Sequence, residues 1–554
     1  MKMLFQFKLI KKDFLFLSNN GNFLLLPINK KSRFFGWFVP YKNYYIKILD
    51  SLKNKKLSNE KIEEIKLLSN NCAKIVYDGF YEKYILGKNY IFYKTNKASW
   101  IELYFDIKHI YDTEEWNRIY NVSLVDNKLK ISYQKDDIFF EVFIESFTDI
   151  KILNEWIEVF YDYDKYRNSP PFNRWLFKPA ELFANKLIIY FDKKPRKITK
   201  KKIRSLYDLI KQRILDFSHN WISAGFPWYY QEWTRDVLIS LRGFYLIGEK
   251  KLVKRKLIEY TNYINSCGKL YTTLQGVNGC SDGLGWYIKR FFDFINLFNS
   301  EERKKILEII SNALDNYYEC FFDEKKNVFF SNPNETWMDT LNRVYPLEIQ
   351  FLMLNAYKKI YEYTKKENYL EIFEKLSKGV RNFVEEVSLI DDLNNRSIRP
   401  NIFLSYYIFP DYFKKEEWEK FFDYALFHLW LDWGGLSSIS KYDKRFIEEH
   451  NGDNFFSDKN KSMHSGDSWY YINHIAALSM YKLNKEKYSN YIRKIISASL
   501  NTIKEIGTLP ELSSAKERRS EGAISQLWSL CTLVELLHDT KDTFAIYVVT
   551  YKDK

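Results

Sequence analysis

Close to residue 190 the apolar residues of this chain change their period, and that change limits the folds open to it. Up to that point they come in short runs and alternations, as in Phe23–Leu26, Tyr90–Tyr93, Trp100–Phe105, Ile138–Ile144 and Leu187–Tyr190. Asn, Asp and Gly separate the runs, and this pattern predicts antiparallel strands joined by turns. Beyond a basic stretch, Lys193–Lys202, the apolar spacing becomes helical. The sequence therefore predicts two domains: an antiparallel β-sandwich-like domain over 1–192 and a helical domain over 193–554. The length agrees, because a single core stops growing beyond about 250–300 residues.

The helical part has an order of its own. Six segments each open with a cluster of Gly, Pro, Ser, Asn, Asp or Trp and then enter an apolar helix, starting near Thr234, Asp282, Pro346, Pro400, Asp467 and Glu521. Between them run six amphipathic, charge-rich stretches, at about 202–220, 249–265, 301–319, 367–388, 414–430 and 485–505. A two-layered helical barrel needs that alternation, with inner helices packed on every side and outer helices keeping one face in water. Six of each predicts an (α/α)6 barrel, with the polar clusters gathered at one mouth, where a site is expected.

The net charge of +14 raises the question of an anionic partner. The positive residues are spread along the chain among Glu and Asp at helical spacing, as in Lys250–Lys256, so they read as a solvated surface and not a nucleic-acid face. The five cysteines, Cys72, Cys267, Cys280, Cys320 and Cys531, are scattered and contain no CxxC pair, so neither a disulfide framework nor a metal site is expected. The opening residues mix lysines with apolar ones and lack a small-residue cleavage site, and no uncharged apolar run reaches membrane-spanning length. A cytoplasmic protein without membrane partners is expected.

The predicted mouth is rich in carboxylates and tryptophans. The first cluster is Gly225-Phe-Pro-Trp228-Tyr229-Tyr-Gln-Glu-Trp233-Thr-Arg235-Asp236. Thr234 is placed to cap the helix, and Asp236 falls in its first turn, where a carboxylate suits the dipole. Asp236 is then either a helix-end residue paired with Arg235 or a sugar-hydroxyl acceptor; the surrounding aromatic rings favour the second. In the third cluster Asp339 lies beside Trp337 and Met338, surroundings that raise a carboxyl pKa. In the sixth, Glu511 follows a proline in an apolar stretch. Asp339 and Glu511 form a candidate divided acid and base. His464-Ser-Gly-Asp467-Ser-Trp469 is a further polar cluster, but nothing near it makes a metal set. Neither a phosphate loop nor a nucleophile elbow is present, so nucleotide chemistry and Ser–His–Asp hydrolysis are not expected.

In this order the clusters resemble the glycogen debranching enzyme family, in its amylo-α-1,6-glucosidase part and its short archaeal and bacterial forms. The pieces that carry the resemblance are Phe226-Pro-Trp-Tyr229, Trp233-Thr-Arg-Asp236 and Thr336-Trp-Met-Asp339. Pro346-Leu-Glu-Ile349, Arg399-Pro-Asn401, Gly435-Leu436, His464-Ser-Gly466 and Gln526-Leu-Trp-Ser529 support them, with a shorter likeness at Ser32–Gly36. Trp233-Thr-Arg-Asp236 is also similar to a glucoamylase motif. The resemblance implies a barrel of glucoamylase type and an inverting α-glucosidase that hydrolyses α-1,6-linked glucose at branch points of glycogen or another branched α-glucan, without a cofactor or metal. It implies Asp339 as general acid and Glu511 as general base. The remaining matched residues, Trp228, Tyr229, Trp233, Arg235, Asp236, Trp337, His464 and Trp469, would bind substrate.

Two departures stand out. Ser437 occupies a position where the family's Gly-Leu-Arg motif has arginine, and Ser520-Glu-Gly-Ala523 replaces a Gly-Cys approach to the last helix; neither is expected to touch the acid or base. The alternatives are a glucoamylase-like exo-α-1,4-glucosidase or a trehalase on the same barrel, and a glycan-binding protein without catalysis. Retention of both Asp339 and Glu511 speaks against the last.

Overall fold

The computed structural model describes residues 7–9, 13–274, 276, 278–452 and 461–544. The opening residues 1–6, on which the reading of the N-terminus partly rests, lie outside the described residues. The chain divides into two compact units, one taking the chain up to Ile222 together with Asn501–Thr508, the other Ser223–Leu500 and the chain from Leu509.

The first unit is built on one antiparallel sheet of fourteen strands that curls on itself. Two long strands, Tyr90–His109 and Asn173–Phe191, form its spine and pair with each other. One end of Tyr90–His109 pairs with Phe80–Leu86 and the other with Tyr44–Asn54, so the sheet branches along its length. Register shifts at Phe177/Glu181 and Ala184/Lys186 interrupt the spine. Such bulges bend a strand and increase its twist, which lets one sheet curl where a regular ladder would stay open. The alternation at Ile138–Ile144 is seen in the strand Ile138–Glu145, where Ile138, Phe140, Val142 and Ile144 point inward. The stretch Lys193–Lys202 carries neither helix nor strand. The helix after it, Leu206–Asp216, belongs to this unit: Arg213 donates to the carbonyl of Phe16 (2.9 Å), and Asp216 accepts from Ser18 Oγ (2.6 Å) and Asn70 Nδ2 (2.7 Å).

In the second unit six apolar helices span Thr234–Leu246, Gly283–Asp293, Leu347–Thr364, Asn401–Ile408, Tyr470–Asn484 and Leu527–Asp539. Each packs on the next, and the sixth returns to the first, closing a ring. They are buried around nearly their whole circumference; every residue of Asn401–Ile408 is buried. Amphipathic helices alternate with them at Lys250–Tyr260, Ser300–Phe321, Glu367–Val380, Lys415–Leu429 and Ser489–Ile506. Lys250–Tyr260 buries Leu252, Val253, Lys256, Leu257 and Tyr260, a single stripe at helical spacing.

The starts of two core helices differ from expectation, for one reason. Asp467 and Glu521 do not begin helices; short strands intervene, Ser468–Trp469 pairing with Leu512–Ser513 and Ser525–Gln526 with Gly225–Phe226. Backbone groups that would have entered a first helical turn are used instead to tie the entry loops together. Among the described residues, no helix is long and apolar enough to cross a membrane.

Candidate active site

The entry loops and first turns of the core helices surround one pocket, open to solvent. Its lining is Tyr229, Trp233, Arg235, Asp236, Trp337, Asp339, Met463, Trp469, Glu511, Gln526 and Trp528. Trp233, Trp469 and Gln526 are the N-cap residues of the first, fifth and sixth core helices, and Asp236 lies in the first turn of the first.

Three carboxylates face this space, and each is held differently. Asp236 accepts a hydrogen bond from Gln526 Nε2 (2.9 Å). Burial pushes its carboxyl up to about 7; the neighbouring Arg235 opposes the rise and Asp339 adds to it. Asp339 is likewise pushed up to about 7 by burial, against the pull of Arg235. A carboxyl with that pKa keeps its proton available near neutrality, which a general acid requires. Glu511 is fixed by the turn it belongs to: its N–H donates to the Ala523 carbonyl (2.9 Å), and the Ala523 N–H donates to its Oε2 (2.9 Å).

The loop carrying Asp339 has no regular secondary structure, so side chains hold it. Trp337 Nε1 donates to Asn401 Oδ1 (2.7 Å), and Asn401 Nδ2 donates to Asp391 (2.7 Å). Arg343 bridges Thr336 Oγ1, Glu348 and Asp391. All are buried, and those of Arg343 and Asp391 are charge-assisted contacts of the kind that fix geometry firmly. Trp337 in turn meets Trp469 at 5.7 Å and Tyr471 at 5.3 Å, both edge-to-face.

The geometry sits inside a recognised sequence family. A family model described as amylo-alpha-1,6-glucosidase matches residues 208–535. The chain belongs to that family. A bacterial glucoamylase complexed with acarbose superimposes with a TM-score of 0.66 at 10% identity, over 98% of this chain and 96% of its own. At that identity the likeness is one of fold: a curled antiparallel β domain followed by many helices. A GH63 mannosylglycerate hydrolase from Thermus thermophilus, in complex with Tris and D-glycerate, overlaps 60% of this chain and 100% of its own at 9% identity and a TM-score of 0.45. No curated protein matches the sequence.

Within this amylo-alpha-1,6-glucosidase family member, eight of the ten residues expected at the site line the pocket: Asp339, Glu511, Tyr229, Trp233, Arg235, Asp236, Trp337 and Trp469. The other two are not part of its lining. Trp228 is buried in the turn before Tyr229, in left-handed backbone (φ 93°) that a bulky residue seldom adopts. His464 has no exposed surface and stacks on Trp469. Thr234 does not cap its helix as expected; its hydroxyl donates to the Tyr271 carbonyl (2.6 Å), and Trp233 is the N-cap. Arg235 pairs not with Asp236 but with Asp282, at the start of the next core helix (Nε–Oδ2 2.6 Å). The nearby acids Glu232 and Glu335 are engaged elsewhere, by Lys256 and Tyr260 and by Lys269 and Ser281.

The lining includes three residues that sequence reasoning did not place there, Met463, Gln526 and Trp528. Trp528 Nε1 and Trp233 Nε1 are buried donors with no partner among the described residues. Buried donors of that kind are costly unless something accepts from them, and a sugar hydroxyl is a fitting acceptor. Among the described residues, no group of three or more His, Cys, Asp and Glu is placed to hold a metal ion.

The family departures also find their places. Ser437 is buried, and its hydroxyl donates to the carbonyl of Ile439 (2.7 Å), away from the pocket lining. The expectation that Ser520–Ala523 stays clear of the acid and base is corrected, because Ala523 binds Glu511 directly. Gly522 has φ 64°, and a Cβ there would lie 2.5 Å from Glu511 Oε2. Gly522→Ala should therefore displace the Glu511 carboxylate and lower kcat by about tenfold or more. Left-handed backbone at an alanine should also cost about 1–2 kcal/mol of stability. Kinetics and thermal unfolding of the same variant check both; an unchanged kcat would show that the turn does not set the position of Glu511.

Proposed function

We propose that this protein is an inverting α-glucosidase that removes α-1,6-linked glucose at branch points of glycogen-like α-glucans. The observation that carries the reading is one pocket in which Asp339, with its carboxyl pushed up to about 7, and Glu511 stand among tryptophans, within the family-matched region. The closed ring of six core helices, with the pocket at their N-terminal ends, is read as the inner layer of an (α/α)6 barrel.

In the proposed mechanism a single displacement breaks the glycosidic bond. Protonated Asp339 gives its proton to the departing glycosidic oxygen, while ionised Glu511 takes a proton from a water that attacks the anomeric carbon from the opposite face. Inverting pairs of this kind stand roughly 6.5–9.5 Å apart, leaving room for the water. Arg235 and Asp236 grip hydroxyls of the glucose being released. Arg235 is held by Asp282, and Asp236 by Gln526, so both are fixed before substrate arrives. Tyr229, Trp233, Trp337 and Trp469 supply ring surfaces for the apolar faces of the sugar.

The substrate assignment is tested by comparing a branched limit dextrin, maltooligosaccharides and trehalose. The limit dextrin is expected to give the highest kcat/KM. A clear preference for maltooligosaccharides would move the activity to α-1,4 ends, and a preference for trehalose would overturn the glucan assignment.

A further inference from the structure

His464 is fully buried and yet touches the Asp339 loop on both sides of the carboxylate. Its Nδ1 lies 2.7 Å from the hydroxyl of Thr340, the residue after Asp339. The indole of Trp337, two residues before Asp339, also lies against the ring. The imidazole is itself clamped: it stacks on Trp469 (5.0 Å, 11°), meets Trp337 edge-on at 5.5 Å, and its backbone carbonyl accepts from Arg399. Burial, together with the positive charges of Arg399, Arg343 and Arg235, holds the ring well below its ordinary pKa, so it is neutral near pH 7. A neutral imidazole has one donor and one acceptor. Nδ1 can therefore take either role toward the Thr340 hydroxyl, whereas a lysine could only donate to it and a carboxylate only accept.

We propose that His464 is a positioning residue for the general acid, fixing the Trp337–Thr340 loop so that the Asp339 carboxyl meets the glycosidic oxygen. The inference rests on the reading of Asp339 as that acid. Asn401 and Arg343 anchor the loop at Trp337 and Thr336, before the carboxyl, while His464 binds it at Thr340, directly after; a misplacement of about 1 Å can cost 10²-fold in rate.

A leaving-group comparison separates this role from a structural one. The sugar alkoxide of a glucan needs a proton as it departs, whereas the fluoride of α-glucosyl fluoride leaves with little such help. His464→Ala should lower kcat on limit dextrin by about 10–10²-fold, with KM little moved, and lower kcat on the fluoride far less. His464→Gln, which retains a donor and an acceptor, should recover part of the loss. Thr340→Val, which removes the hydroxyl contact alone, should repeat the leaving-group pattern and serves in place of His464→Ala if that variant does not fold. Equal losses on both substrates, or full activity on limit dextrin, would overturn the proposal. Asp339→Asn measured alongside keeps the two readings apart. If Asp339→Asn spares limit dextrin, the acid assignment falls and this inference with it; if only Asp339→Asn loses activity there, this inference alone fails.

Discussion

Asp339→Asn is expected to cut kcat on limit dextrin by about 10²–10⁴-fold, the usual share of a general acid, while making the folded protein more stable above neutral pH. Both effects come from burial of the carboxyl. Its pKa is raised from the ordinary 3.8 to about 7, so the native state binds this proton more tightly than the unfolded chain does. That contribution to stability is fully present below about pH 4 and is lost as the pH rises through about 7. Asparagine never ionises, so the variant should escape the loss and gain on the order of 1–3 kcal/mol at pH 8. The parent enzyme should lose activity as the pH rises past about 7, the pH at which the acid gives up its proton. Asp236 is raised to about the same value and interacts with Asp339, so that limb belongs to the pair. Thermal unfolding and pH–rate profiles of both proteins check these expectations; an active variant, or one destabilised at pH 8, would contradict them.

Glu511→Gln should lose about 10²–10⁴-fold in kcat as well, but with a different signature. Attacking water must be deprotonated whatever group leaves, so the loss should be as large on α-glucosyl fluoride as on limit dextrin. Glutamine keeps an oxygen for the Ala523 N–H, so the turn and the melting temperature should change little. If the variant spared the fluoride, the base would have to be sought elsewhere, and Asp236 is the remaining carboxylate in the pocket.

Much of this was legible in the sequence because it was written in local periods. Four core helices start at or one residue after the expected points and the fifth and sixth somewhat later, and the outer helices largely coincide with the charge-rich stretches, since a buried or amphipathic helix must show its environment in its residue spacing. The aromatic and acidic character of the Thr336–Asp339 loop was also visible, and with it the direction in which burial would push Asp339. Contacts between distant segments were not visible. Nothing near Arg235 in the sequence names Asp282 as its partner, and nothing near Glu511 shows that Ala523 comes back to bind it. Gln526 and Trp528 carry a family likeness, but only the pairing of Ser525–Gln526 with Gly225–Phe226 brings them to the pocket beside Asp236. His464 and Trp228 were expected to bind substrate from the family resemblance; that His464 stacks on Trp469 and that Trp228 sits in left-handed backbone follow from stacking and turn geometry that spacing does not encode.

Proton NMR of the first glucose released tests the central claim most directly. A single displacement by water, assisted by Asp339 and Glu511, inverts the anomeric centre. The account predicts that β-glucose appears first from limit dextrin and converts to the α anomer only by mutarotation. Initial release of α-glucose would mean two displacements, and the assignment of Asp339 and Glu511 as an inverting pair would be wrong.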